Sequence, residues 1–242
     1  MLSSLKFKLE TKDKIIGYHS SSIFQGVLME KLSKDTVFNL HSFSINPYCQ
    51  YVIKIANNSY WTLNGLNNYA FENIIKPLIN LEKIYLKNKD LEIKLNDLEL
   101  HKYNKHEFTE KFLFGNSTGI FNLKFITPTS FKSQGRYIIM PDCRLIFQSL
   151  MKKFDATGED KLFSEELLKD LENFSYISKY RLRSCLFPLE KIKIPAFIGD
   201  IQIKLDGPKE LRNIASLLLN FGTYSGVGIK TAMGMGAMKI ER

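Results

Sequence analysis

Cysteine is scarce and scattered. The 242 residues hold three, Cys49, Cys143 and Cys185, with no CxxC spacing, so neither a thiolate zinc site nor a disulfide framework is indicated. Long apolar runs are missing, and none approaches the roughly 18 residues that a bilayer-spanning helix requires. The first residues, MLSSLKFKLETKDK, alternate and carry charge almost at once, unlike a secretory leader. These absences lead to the expectation of a reduced, cytoplasmic setting with no membrane association. Histidine is rare too. The four are His19, His41, His101 and His106. The last two, in ELHKYNKHEF, read as surface residues on a strand end or loop and not as metal ligands. Acidic side chains are outnumbered, 25 against 34 lysines and arginines, for a net charge of +9. Such a balance favours a polyanionic partner, nucleic acid before membrane. Hydrophobic residues at 44% and aromatics at 12% argue against a disordered chain.

What is present is an order of elements that occurs twice. LSSLKFKLE alternates apolar and polar from Leu5 to Leu9 as a strand does. SSSIFQGVLMEKLSK places Ile23, Val27, Leu28 and Leu32 at helical spacing, with Ser20 to Ser22 as caps. QYVIKIANNSYWTLNGL reads as a hairpin around Asn57-Asn58. NNYAFENIIKPLINLE is a second helix, with Phe71, Ile74, Ile75 and Leu78 on one face and an end blurred by Pro77. KIYLKNKDLEIKLNDLEL alternates again as one or two strands.

At GNSTG, residues 115–119, the pattern breaks and starts over. A strand, IFNLKFITPTS, precedes a helix, DCRLIFQSLMKKFD, whose apolar side carries Leu145, Ile146, Leu150 and Met151. TGEDKLFSEELLKDLENF reads as an acidic helical insertion. Two strands follow, then a helix with Leu211, Ile214, Leu217 and Leu218 at 3.6 spacing, then a closing strand. The fold class is therefore α+β: tandem ferredoxin-like (RRM-like) βαββαβ domains, residues 1–116 and 117–242, with a C-terminal glycine-rich loop.

That loop lies in YSGVGIKTAMGMGAMKIER. A phosphate-binding P-loop needs glycine before Lys-Thr, but Ile229 stands before Lys230-Thr231. A dinucleotide fingerprint fails as well, since Thr231 follows Gly226-x-Gly228 where glycine is required. The order is also reversed, helix before loop and strand after. What remains is a loop in which Gly226, Gly228, Gly234 and Gly236 let backbone amides approach another chain, with Lys230 and Thr231 adding a charge and a hydroxyl. This suits a phosphodiester backbone. A plain glycine-rich turn into an edge strand is the alternative.

The segment YSGVGIKTAMGMG, following an amphipathic helix, resembles the glycine-rich signature of CRISPR-associated endoribonucleases that process precursor crRNA. FITPTSFKSQGRY with MPDCRLIFQSLMKKF, IPAFIGDIQIKL and LHSFSINPYCQYVI resemble further stretches of that family, in the right order. The resemblance implies cleavage of CRISPR repeat RNA without a metal or other cofactor. The 2′-hydroxyl attacks the adjacent phosphate, leaving a 2′,3′-cyclic phosphate and a 5′-hydroxyl. It also admits an alternative, a non-catalytic RNA-binding subunit working with other proteins of a CRISPR effector complex. A monomer or a homodimer fits either.

The resemblance places the catalytic histidine at His41. His19 and Tyr48 are the other catalytic candidates, His19 as a second imidazole and Tyr48 as a hydrogen-bond donor that positions the 2′-hydroxyl. Histidine suits such proton transfers because its unperturbed pKa is about 6.5. Some members carry a tyrosine at the end of the first helix and a lysine soon after the histidine. Here Met29 lies near the first position and no lysine follows His41 until Lys54, which leaves open the group that neutralises the phosphate. Besides the loop, the RNA-binding candidates are Lys132, Arg136 and Arg144, and Lys179, Arg181 and Arg183, whose alternation puts them on one face of a strand.

Overall fold

The computed structural model describes residues 1–11, 15–158, 161–189 and 192–241. In chain order the elements are β1 (Leu2–Glu10), α1 (Ser21–Lys31), α2 (Lys34–Ser42), β2 (Tyr48–Ile55), β3 (Asn58–Gly65) and α3 (Asn68–Ala70). β4 (Lys83–Leu86), β5 (Leu91–Tyr103) and α4 (Lys105–Leu113) complete the first series. The second consists of β6 (Ile120–Thr129), β7 (Phe131–Ser133), β8 (Arg136–Ile138), α5 (Cys143–Ala156), α6 (Glu165–Phe174), β9 (Ser175–Leu189), β10 (Ile192–Leu205), α7 (Lys209–Ser225) and β11 (Met238–Glu241).

Beside a two-stranded β7-β8 ribbon, two larger antiparallel sheets result. One runs β2-β3-β1-β5-β4 and the other β11-β6-β10-β9. In each, the closing strand, β5 or β11, lies on one side of the first strand and the middle hairpin lies on the other, which is the ferredoxin-like arrangement the sequence predicts. β4 is an addition, an edge strand paired to β5 with Lys83 opposite Lys94. The core face of the first sheet, with Leu5, Phe7, Trp61 and Leu63, packs under α1 and α3. Phe121, Leu123, Phe125, Ile201 and Ile203 do the same under α5, α6 and α7.

Local differences from the sequence reading have physical causes. The first helix is two helices: Leu32 turns to an extended conformation, and Ser33 caps α2 by accepting from the Thr36 amide. Ser20 caps nothing with its side chain. Ser21 Oγ instead accepts from the Val52 amide at 3.0 Å, so the start of α1 is fastened to β2. Left-handed Ala56 shapes the hairpin turn between β2 and β3, one residue earlier than the Asn57-Asn58 centre. α3 widens into a π-turn over Phe71–Ile75 and tightens to a 3-10 turn over Lys76–Leu78. Pro77 has no N–H to give to the preceding turn.

The sequence reading has no helix over 105–113, yet α4 forms there, capped by Asn104, and places Phe108 against Tyr224. The acidic segment is more than an appendage. Leu168 and Leu171 of α6 are fully buried in the second core, while Glu159 and Asp160 of that segment lie outside the described residues.

The halves meet through the faces of the sheets that carry no helices. Cys49, Tyr51 and Ile53 of β2 pack against Ile126 and Ala237 of the second sheet. Asn64 Nδ2 donates to the Tyr224 carbonyl at the end of α7 at 2.9 Å. The glycine loop that follows α7 is thereby delivered to the start of α1.

Candidate active site

α7 ends in a left-handed Gly226, and the chain crosses to the N-terminal half before returning as β11. Gly226, Gly228, Gly234 and Gly236 all have φ between 62° and 106°. At three of them space is closed as well. A Cβ on Gly234 would lie 2.0 Å from Ser21 Cβ, one on Gly236 would lie 2.0 Å from the Val227 carbonyl oxygen, and one on Gly228 would lie 2.3 Å from the Ser130 carbonyl oxygen. The glycines are thus required by contacts inside the protein. Their amides are occupied there too: Gly226 donates to Gly222, Gly228 to Ser149 Oγ, Gly234 to Thr231 and Gly236 to Pro128.

The open backbone lies between them. Among the described residues, the amides of Lys230, Thr231 and Ala232 have no hydrogen-bond partner; they start a 3-10 turn over Thr231–Met233. Lys230 is itself left-handed, with φ 55° and ψ 33°. For a residue with a side chain that conformation costs about 1–2 kcal/mol, and the Lys230 carbonyl offsets it by accepting from Met233 and Met235.

A cleft of about 440 Å³ opens beside this turn, lined by Gly228 to Met233, by Gln25 and Met29 of α1, by His41 and Tyr48, and by Lys153. The fold therefore brings His41 and Lys230, about 190 residues apart in sequence, to one cavity. His41 stands exposed in the last turn of α2. Tyr48 is 2% exposed at the start of β2. Burial pushes its phenol up to about 12 and Gln25 hydrogen-bonds the hydroxyl, so it is a neutral hydrogen-bonding group at any working pH. Met29 and Gln25, one helical turn apart on α1, present a thioether and an amide to the cleft.

His19 is elsewhere. It is exposed in a short 3-10 turn, its ring 3.9 Å from that of Tyr18, and is not among the cleft residues. Tyr18 packs on the distal part of the β9–β10 hairpin, with Cys185 and Phe187. The two histidines do not meet because α1 lies between them.

The basic candidates divide. Lys132 lines a second hollow that shares Lys153, Gly228 and Ile229 with the cleft and adds Gln148 and Lys152. Arg136 is exposed at the β7–β8 hairpin. Arg144 is held by Glu172 at 2.8 Å and Glu165 at 3.1 Å. Lys179, Arg181 and Arg183 share the open face of the second sheet, opposite Gln202, Asp200 and Ile198. Arg181 is paired there with Asp200 at 2.7 Å. His101 and His106 are exposed, on β5 and α4.

Lys153 is the residue that sequence reasoning missed. It lies on α5, 7% exposed. Its Nζ donates to the Gly226 carbonyl at 3.0 Å, to Thr231 Oγ1 at 3.3 Å and to the Ser225 carbonyl at 3.4 Å. Burial pulls its pKa down to about 7, against a smaller upward pull from the Cys49 thiol. A signal for it exists in the sequence. Ile146, Leu150 and Lys153 recur at 4-3 spacing, which sets one lysine in line with apolar residues.

The family model for CRISPR-associated endoribonuclease Cas6 matches residues 123–238. Over 219 residues the chain is 36% identical to the CRISPR-associated endoribonuclease Cas6 of Streptococcus thermophilus, covering 90% of each protein. The chain belongs to the Cas6 family. Its second relative, Cas6 of Mycobacterium tuberculosis, is 31% identical, with 89% of this chain and 70% of that protein covered. Among solved structures, a Cas6 product complex superposes with a TM-score of 0.82 over the whole of both chains at 21% identity, a likeness of fold. As a Cas6-family member the chain is an endoribonuclease. No helix among the described residues is long and apolar enough to cross a membrane.

Proposed function

We propose that this Cas6-family endoribonuclease cuts CRISPR repeat RNA in precursor crRNA, in the cytoplasm, by attack of a ribose 2′-oxygen on the adjacent phosphorus. The P–O5′ bond breaks as the P–O2′ bond forms. The 2′ proton goes to a base and the leaving 5′-oxygen receives one, giving a 2′,3′-cyclic phosphate and a 5′-hydroxyl. The observation that carries this reading is the meeting of His41 with the glycine loop in one cleft.

His41 carries one of the two proton transfers, a task worth about 10²–10⁴-fold in rate. Tyr48, kept neutral by burial, orients a sugar hydroxyl or a phosphate oxygen. The free amides of Lys230 to Ala232 and the Lys230 side chain receive the phosphodiester. They answer the question that the missing lysine after His41 leaves open. Lys132 and Lys152, in the hollow next door, extend the basic track to the neighbouring nucleotides. Residues 1–116 act as the half that supplies the proton-transfer group and residues 117–242 as the half that grips the backbone.

Cleavage of labelled repeat RNA in EDTA, with and without a single 2′-deoxy substitution at the scissile nucleotide, tests the chemistry. The expected result is metal-independent cutting with a cyclic phosphate end, abolished by the deoxy substitution while binding persists. Cutting of the deoxy substrate, or a 3′-hydroxyl product, would overturn the mechanism.

A further inference from the structure

Lys153 enters the cleft from beneath the loop, and its geometry differs from that of a lysine that meets substrate. An ammonium has three N–H bonds, and all three are taken: by the last two carbonyls of α7's end, Ser225 and Gly226, and by the Thr231 hydroxyl. The first two acceptors lie where the loop leaves α7, and the third lies at the turn with the free amides. One buried cation therefore ties the start of the loop to its central turn. No other side chain makes that connection among the described residues. Thr231 in turn sits with its methyl 3.0 Å from the place a Gly226 Cβ would occupy, so the start of the loop and its turn are in contact at the clasp.

We propose that Lys153 is a positioning residue, whose ammonium holds the Lys230–Ala232 turn in the shape that receives the RNA backbone and whose loss of a proton releases it. This rests on the reading that the loop binds RNA. The chemistry follows from the charge. A neutral amine can keep its two N–H bonds on the carbonyls and accept from the Thr231 hydroxyl, but every contact then loses the charge assistance that about doubles its strength, and the hold on the turn slackens. Burial pulls the ordinary lysine value down to about 7, which brings this change into the working range.

The groups around Lys153 leave that assignment clear. On β2, Cys49 and Tyr48 are each pushed up to about 12 by burial and stay neutral. Lys152 precedes it on α5, and His41 and Lys230 line the cleft; among the described residues no carboxylate does. The sign is then fixed. Bound phosphate favours the charged form, so RNA binding takes up a proton once the free protein has lost it. Affinity is full below about pH 7 and declines as pH rises through that value.

The test uses the full chain carrying His41→Ala, which removes cutting and leaves no imidazole in the cleft. Repeat RNA is titrated onto it at fixed salt from about pH 6 to pH 8.5, and the Kd is expected to rise about tenfold through a midpoint near neutrality. Lys153→Met in the same background is expected to bind about tenfold or more weakly at low pH and to show a flat profile. A thermal melt reports whether the double variant is folded at the assay temperature; if it is not, the pH series on the lysine-bearing protein decides alone. A flat profile with lysine in place, or a methionine variant that binds as tightly as its parent, overturns the proposal. Failure of the His41→Ala protein to bind repeat RNA at any pH overturns the loop reading, and the proposal with it.

Discussion

His41 and the glycine loop face one cleft from structures built on opposite principles. The imidazole stands exposed on the last turn of α2, with no hydrogen-bond partner among the described residues. The loop is fastened at nearly every residue: glycine amides to Gly222, Ser149 and Pro128, the Lys230 carbonyl to two amides, and Lys153 to three oxygens. The contrast shows where each function needs order. Backbone amides recognise a phosphate only if they are held in place before it arrives, because an unfixed loop loses the entropy of ordering on binding. A proton-transfer group needs reach and solvent access, and its alignment is completed by the substrate. In the proposed reaction the histidine wall supplies chemistry, and the loop wall supplies grip.

Variants that move one wall and not the other sharpen this contrast or break it. His41→Ala carries the largest expected effect, a fall in single-turnover cleavage of about 10²–10⁴-fold. Gly234→Ala comes next, because its Cβ would meet Ser21 Cβ at 2.0 Å on a backbone with φ 106°. A loss of about 2–4 kcal/mol, a drop in Tm of about 5–15 °C, is expected in a thermal melt, together with weaker RNA binding. Lys230→Ala removes one exposed cation and keeps a Cβ on the left-handed backbone, so the shape of the turn is left as it is. RNA affinity should fall about five- to tenfold, and the slope of log affinity against log salt should lessen by about 0.7–0.9. Arg144→Ala should change RNA affinity by less than about twofold, since Glu165 and Glu172 already hold the guanidinium at the surface. A large loss of affinity there would mean that RNA displaces both carboxylates.

Much of the fold was legible because it follows from periodicity. The strands around Leu5–Leu9 and the stripe Leu211–Leu218 are short-range patterns, and the doubled order of elements follows from them. The break at Leu32-Ser33 was not legible, since Ile23 to Leu32 keep helical spacing up to the point where the chain turns. Helix α4 was masked by its polar sequence; Phe108, Phe112 and Leu113 pack inward, and Phe108 meets Tyr224, more than 100 residues away. At the site, His41 and the loop could be named from residue types and family likeness. Their meeting in one cleft depends on Ser21, Gly234 and the sheet contact around Cys49 and Ala237, which no local pattern encodes. The glycines' role also changed. Their spacing suggested amides offered to a ligand, while the structure uses those amides internally and leaves the open ones to Lys230, Thr231 and Ala232. Lys153 was passed over because a lysine among Leu150, Met151 and Phe154 looks like a helix residue that snorkels to solvent, and only the loop's carbonyls explain why it does not.

The division of labour between the two walls is tested most directly by measuring, on one repeat RNA in EDTA, both Kd and single-turnover cleavage rate for His41→Ala and Lys230→Ala. The account predicts that His41→Ala loses cleavage by at least about 10²-fold with its Kd within about twofold of the parent, while Lys230→Ala shows the larger loss of affinity. A His41→Ala protein that cuts at the parent's rate, or one whose lost cutting is matched by lost binding, would contradict it.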